Sequence, residues 1–280
     1  MASQSTVSTS LSECPSLPSD VSTEVYQWVH PTVIQSPSWY DSREKVESCV
    51  RESGLQGVGQ YFDLAPCQAH ERVCDRAAEE EPDFFYVYDT FFTRLPLKLP
   101  LSSFACNVLS ALRIAPTQLL PNGWAFVYAF ECLCRYLSVP PSTPVFFYFF
   151  QVNRSTTPKG VNWASIHGVA NRSLLTPFFS SFKNFKDCFL KVLVRNDFPE
   201  LILTQRGWLK FPFYWKSSPI PTSHKKFTDL ECWEQSQVAV LEAFPLVSTT
   251  AILECRDSTS LFQYLGKGLS FLPSTFSLPV

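Results

Sequence analysis

The chain has 280 residues, of which 45% are hydrophobic and 17% charged, and its formal net charge is −2. This composition supplies enough apolar material for one large domain or two small ones with a sizeable core. The most apolar run, Val145 to Phe150, is far shorter than the roughly 20 residues of a membrane-spanning helix. The sequence therefore excludes a protein that crosses a membrane by such a helix.

The N-terminal residues and the cysteines predict the compartment. Residues 1–11 are rich in Ser and Thr and lack both the basic start and the apolar stretch of a signal peptide. Without an export signal, the ten Cys are expected to be reduced thiols rather than disulfides. We therefore expect an intracellular protein, cytoplasmic or nuclear, that is not secreted and has no membrane partner.

Charge is distributed unevenly along the chain. Residues 1–100 carry a net charge of −8, residues 101–228 carry +10, and residues 229–280 carry −4. This asymmetry is the most informative bulk property of the sequence. One consequence is that the acidic residues 1–83 could fold over the basic part and mask it.

The N-terminal part is predicted to precede the main domain. Residues 1–23 contain few side chains to bury and are expected to be disordered. Residues 24–82 form a variable acidic region and linker that ends at Glu79–Pro82. Within this region a helix is predicted to begin at Ser42 and to end at Gly54.

Residues 83–245 are predicted to be the main domain. Its first segment, 84–92, is aromatic and fits either a strand or a short helix, because periodicity cannot decide over so few residues. Three apolar segments with helical signals follow, and we expect them to form the core. They begin at Ser102 or Ser103, at Pro121 and at Thr143.

The second half of the main domain has a different pattern. Leu201–Leu203 and Leu209–Tyr214 flank Gly207 and predict a β-hairpin. The sequence as a whole thus predicts an α+β fold, a helix-dominated single main domain with a small β-hairpin in its C-terminal half.

The C-terminal part is predicted to hold one more helix and a tail. Thr228 and Glu231 match a capping box, which opens a helix that Pro245 terminates. Residues 246–280 have no strong period and are expected to be an ill-ordered tail.

Several segments of the main domain occur in a specific order and spacing. They are residues 84–92, 115–119, 121–126, 144–151, 181–187 and 211–215. Together they resemble the gypsy-type transposase domain of plant retroelements, over about residues 83–245. The resemblance implies an open reading frame of a gypsy-type element, at the position of a Gag-like or accessory product. It brings no catalytic residues, and the family's name does not establish strand-transfer chemistry, since such elements move by reverse transcription and integration.

The sequence contains no motif typical of the enzymes that a retroelement polyprotein encodes. An aspartic protease needs Asp-Thr/Ser-Gly, but Asp89-Thr90 is followed by Phe91, and no Asp-Asp pair of a polymerase occurs. An integrase needs three carboxylates around two metal ions. The basic part of the chain offers only Glu131, Asp187, Asp197 and Glu200. We therefore expect no catalytic residues and no cofactor.

Metal-binding and nucleophile patterns are also weak. Cys67, His70 and Cys74 come nearest to a zinc knuckle, which needs four ligands on one tight loop. Three ligands at this spacing favour coincidence, so we expect no metal site. His167 precedes Gly168 and is interpreted as a turn residue rather than a base.

One basic stretch is the candidate functional surface. Residues 154–226 carry a net charge of +9. The candidate nucleic-acid contacts are Lys183, Lys186, Lys191, Arg195, Lys210, Lys216, Lys225 and Lys226. They alternate with the rings of Phe182, Phe185, Phe189, Phe211, Tyr214 and Trp215. Cations that release counterions from phosphates, beside rings that stack on bases, suit RNA or single-stranded DNA. The alternative is that the lysines solubilise one face while the rings fill the core behind it.

Three hypotheses for function remain. The first is a non-enzymatic, Gag-like module that binds nucleic acid or self-associates. The second is a transposase-class DNA-processing enzyme, as the family's name implies. The third is a fragment of a decayed element without a present function.

Overall fold

The structure, a computed structural model, describes residues 26–55, 57–153, 156–195, 197–218, 225–255 and 257–269. The segment 1–23, predicted to be disordered, lies outside these residues. The elements in chain order are α1 (Pro31–Ile34), α2 (Arg43–Ser53), β1 (Phe62–Ala65), β2 (Phe84–Tyr88), α3 (Thr90–Thr93), α4 (Ser103–Leu112), α5 (Pro121–Tyr136), α6 (Thr143–Phe149), β3 (Phe150–Asn153), β4 (Thr156–Thr157), β5 (Gly160–Val161), β6 (Ser165–Gly168), β7 (Phe189–Val194), α7 (Cys232–Ala243), α8 (Thr249–Glu254) and α9 (Ser258–Leu269). The predicted α+β class is confirmed.

Helices α4, α5 and α6 begin where the sequence predicted. Ser102 caps α4 by accepting the amide of Ala105, and Ser142 caps α6 by accepting the amide of Val145. Pro121 occupies the first turn of α5, where its missing N–H would have had no partner in any case. Among the described residues, no helix combines the length and apolarity needed to cross a bilayer.

The core between these helices is aromatic. The buried rings of Phe104, Phe130, Phe146 and Phe150 pack against one another, with neighbouring centroids 4.7 to 6.4 Å apart. Stacked and edge-to-face pairs of this kind add to the free energy gained by burying the rings. The helices therefore form a rigid base for the strands that follow α6.

A three-stranded antiparallel sheet lies beside the helical core, in the order β1–β7–β2. The central strand, β7, pairs Lys191 with Ala65 on one side and with Tyr86 on the other. The segment 84–92, for which strand and helix were both open, contains both: β2 is followed by α3, with Asp89 between them. Through β1, the acidic region 24–82 is part of the same sheet as the main domain.

Smaller antiparallel pairs complete the strands. Strand β3 continues directly from α6 and pairs with β6, while β4 pairs with β5. The predicted hairpin around Gly207 is a tight turn with one antiparallel bridge, between Leu203 and Leu209. Gly207 has φ +76°, which a glycine adopts at no steric cost.

The prediction of an ill-ordered tail is wrong for the segments that form α8 and α9, while residues 270–280 of that predicted tail lie outside the described residues. Helix α8 packs on α5, and α9 packs on both α5 and α8. Ser248 caps α8 by accepting the amide of Ala251, and the apolar side chains that are buried include Ile252 and Leu265. Helix α8 has only six residues, too few to show a period, so contacts with α5 stabilise it, whereas α9 has 12 residues with an amphipathic pattern that the sequence interpretation overlooked.

The carboxyl of Asp89 gives a pH-dependent test of this fold. Its Oδ2 accepts a hydrogen bond of 2.7 Å from Tyr40 Oη. Burial raises the pKa of Asp89 above its ordinary value of 3.8, although the Tyr40 hydrogen bond opposes the shift. Because the folded state then holds the proton more tightly, the wild-type free energy of unfolding should fall as pH rises through the window above 3.8.

We expect Asp89→Asn, which cannot titrate, to lack this dependence. The free energy of unfolding of the variant relative to wild type should therefore rise between about pH 4 and pH 7. Urea unfolding across this range measures the difference. A constant difference between the two proteins at every pH would contradict the prediction.

Candidate nucleic-acid interface

Two of the predicted contacts lie on or beside β7 and are engaged within the protein. Lys191 is buried, forms an ion pair with Glu71, and has its Nζ 4.4 Å from the ring centroid of Phe84. Lys191 therefore faces inward, contrary to the sequence interpretation. Lysines are usually exposed. Lys191, however, lies on the central strand of the sheet, on a face that the rest of the protein covers, so its side chain points into the protein and Glu71 compensates its charge.

Arg195 follows β7 and is partly neutralised. Its guanidinium pairs with Asp63 at 3.5 Å and with Asp197 at 3.4 Å, and it donates to the carbonyl of Gly59. Asp63 comes from the acidic N-terminal part, as does Glu71. The acidic N-terminal region therefore masks basic groups, as the charge distribution suggested. Among the predicted contacts in the described residues, it does so only for Lys191 and Arg195.

The other predicted contacts are accessible to solvent. Lys183, Lys216, Lys225 and Lys226 are exposed, and Lys186 and Lys210 are half-buried. Apart from Lys191 and Arg195, the described Lys and Arg residues between 156 and 226 form no salt bridge with a described carboxylate. These cations are Lys159, Arg172, Lys183, Lys186, Arg206, Lys210, Lys216, Lys225 and Lys226. Their charge is available to a partner.

The rings that alternate with these cations in the sequence point mostly inward. Phe189 and Trp215 are fully buried and Phe211 nearly so, while Phe182, Phe185 and Tyr214 are partly buried. Trp215 also donates its Nε1 to Thr117 Oγ1 at 3.0 Å, which fixes it in the core. For these rings the core-filling interpretation is right, and the buried ones have no face free for a base.

Three other rings are exposed in the same part of the chain. Phe179 is 83% exposed, Trp208 72% and Phe227 43%. Trp208 lies on the tight turn between Arg206 and Lys210, and Phe227 directly follows Lys226. Sequence reasoning missed them, although the position of Trp208 next to Gly207 in the predicted turn was a usable signal, since turn tips are exposed.

A cavity of about 350 Å³ opens beside β6, between the start of α5, the β3–β6 pair and the loop that follows β6. Ser165 and His167 lie on β6, where Ser165 Oγ and His167 Nε2 are 2.9 Å apart. The expectation that His167 is a turn residue is therefore wrong. A Ser–His contact is one half of a nucleophile–base arrangement, but no described carboxylate is hydrogen-bonded to His167 to orient it.

The carboxylates considered for metal-dependent chemistry have separate partners. Glu131 accepts from Ser102 Oγ at 2.9 Å and Asp197 pairs with Arg195, and no described hydrogen bond joins either carboxylate to Asp187 or Glu200. Within the described residues, no group of three His, Cys, Asp or Glu side chains is placed to hold a metal ion.

The thiols of the zinc-like motif are part of the core. Cys67 and Cys74 are buried, whereas His70 is exposed. Burial raises the pKa of both thiols to about 12, so they are protonated at neutral pH. The burial of both cysteines, with His70 exposed, favours packing as the role of the two cysteines.

Comparison with known proteins gives one match. Residues 87–154 match the model of a family described as "Putative gypsy type transposon". The resemblance to gypsy-type elements is therefore confirmed over these residues, which extend from the end of β2 past α6 and β3. No curated protein and no solved structure matches the chain. The basic surface after residue 154 lies outside the matched segment.

Removing one partner of the Lys191–Glu71 pair should strongly destabilise the protein, because the other group stays buried without its counterpart. We expect Glu71→Gln to lower the free energy of unfolding by about 3–5 kcal/mol. The double variant Glu71→Gln with Lys191→Met should recover most of this loss, since no buried charge remains.

Urea unfolding of the single and double variants measures both effects. Lys183→Met is the matched control, because Lys183 is exposed and its loss should change stability by less than about 0.5 kcal/mol. A double variant as unstable as Glu71→Gln would show that the pair's charge is not the cause.

Proposed function

We propose that this chain is a non-enzymatic, Gag-like module of a gypsy-type retroelement that binds single-stranded nucleic acid. The observation that carries the proposal is the set of cations without described carboxylate partners in residues 156–195, 197–218 and 225–226, together with the exposed rings of Phe179, Trp208 and Phe227. Such a role is exercised in the cytoplasm or the nucleus.

The uncompensated cations supply the affinity. Each Lys or Arg that contacts a phosphate releases a condensed counterion, so binding weakens steeply as salt rises. Lys225 and Lys226 are the clearest pair for this role: both are exposed, and only their backbone groups have described hydrogen bonds. Their side chains are therefore free to contact phosphates.

The exposed rings favour single strands over duplexes. Rings such as Phe179, Trp208 and Phe227 can stack on bases, and bases are available for stacking only where they are unpaired. Each of these rings has cations near it in the sequence or at the surface, so phosphate and base can be contacted together. A duplex would engage the cations alone.

The lineage agrees with this role by analogy. A gypsy-type element moves by reverse transcription and so handles its own RNA and DNA, and residues 87–154 match a family of such elements. Fold and family do not fix function by themselves, so the surface carries the argument and the lineage adds to it.

Binding of the full chain to fluorescent single-stranded RNA and DNA tests the proposal. We expect the affinity to fall steeply between about 0.05 and 0.3 M salt. Lys225→Glu with Lys226→Glu should weaken binding at low salt by about tenfold or more and reduce the salt slope, because two phosphate contacts become repulsive. Fluorescence anisotropy measures both quantities.

The matched control is Arg43→Glu with Arg51→Glu. Both residues are exposed on α2, and the change in net charge is the same but lies outside the proposed surface. We expect this variant to bind within about twofold of wild type at the same salt concentration. Equal losses in both variants would indicate net charge rather than a surface, and no binding at low salt would refute the proposal.

A further inference from the structure

We propose that the cavity beside β6 receives one unpaired base of the bound strand, an inference that rests on the proposed function. At about 350 Å³ the cavity lies at the lower end of the range for small-ligand sites. This size suits one base with its sugar better than a large cofactor. Several features of its lining point to the same ligand.

The walls are aromatic and fixed, while the mouth carries a free ring. Phe126, Phe149 and Phe150 line the cavity and are at most 5% exposed, so the core holds them in place. Phe179 also lines it but is 83% exposed. The buried rings give the cavity an apolar floor, and Phe179 is the ring with a face free to stack on a base, as in proteins that extract a single base and stack it against aromatic or apolar side chains.

An unpartnered acceptor lies in the wall. Asn122 Oδ1 is buried and has no hydrogen-bond partner among the described residues, although Asn122 Nδ2 donates to the carbonyl of Ser180 at 3.3 Å. This oxygen is buried beneath the cavity surface, so the accessible polar groups of the lining are supplied by other residues. The Ser165–His167 pair adds groups that can donate or accept.

The charge at the cavity suits a phosphate beside the base. Arg172 lines the cavity, and its Nη1 is held by the carbonyls of Tyr148 at 3.1 Å and Lys225 at 2.9 Å. The guanidinium lies over the Tyr148 ring, 4.2 Å from its centroid, and its Nε and Nη2 form no hydrogen bond with a described residue, so they are available as donors. No carboxylate is among the described residues that line the cavity. The strand would thus place its base in the cavity and its backbone over Arg172 and the neighbouring Lys225.

The test compares two oligonucleotides of equal length and charge, one of single-stranded DNA and one in which every nucleotide is abasic. We expect the full chain to bind the base-bearing strand about tenfold more tightly. Phe179→Ala should reduce this preference, since it removes the ring at the mouth. Gly168→Leu should do the same by occupying the cavity, and an added Cβ at Gly168 meets no heavy atom within 4 Å, so the variant should fold.

Trp233→Ala is the matched control, because Trp233 is 53% exposed on α7 and does not line the cavity. Loss of the preference in both cavity variants, with the control and all thermal midpoints unchanged, supports the inference. Retention of the preference for the base-bearing strand in either cavity variant overturns the inference. Equal binding of both strands by the wild type also overturns the inference, but it would leave the phosphate-binding role intact. Binding of neither strand at low salt would refute the proposed function itself.

Discussion

Strand β7 must form hydrogen bonds with a strand on each side, and its inner face must be covered by other parts of the protein. This constraint determines how the rest of the chain is arranged. Its two neighbours, β1 and β2, both come from earlier in the chain, so the acidic N-terminal part is drawn into the sheet. Lys191, at the middle of the strand, is forced inward and requires Glu71 as its counterpart. Part of the negative charge of the N-terminal region thus has a role inside the fold, where Glu71 neutralises Lys191 on β7. That charge is not available to the cations later in the chain, which stay uncompensated.

The elements that the sequence predicted well are those defined by local signals. The helices that begin at Ser103 and Pro121 have a cap or a first-turn proline and an apolar face, all within one short window of sequence. The sheet has no such signal, because the pairing of Phe62 with Val194 joins residues far apart in the chain. Helix α8 was missed for the same reason, since contacts with α5 stabilise it, whereas the amphipathic pattern of α9 was present in the sequence and was overlooked.

The candidate surface was predicted in position but not in detail. The sequence located the basic region, yet it assigned the stacking role to rings that the fold buries. In segment 210–216 burial alternates: Phe211, Phe213 and Trp215 are buried, the residues between them are half-buried, and Lys216 is exposed. An alternating pattern of rings and cations indicates that a segment has a buried face and an exposed face. The exposure of other rings depends on turns and loops, and the positions of these follow from tertiary packing.

The separation of buried rings from exposed cations affects which substitutions such a protein can tolerate as it evolves. The inward rings of segment 210–216 maintain the fold, whereas the exposed Lys216 side chain contributes little to it. Substitutions at exposed positions of this kind usually alter stability by less than about 0.5 kcal/mol. Substitutions can therefore raise or lower the positive charge of such a surface one residue at a time, without passing through an unfolded ancestor.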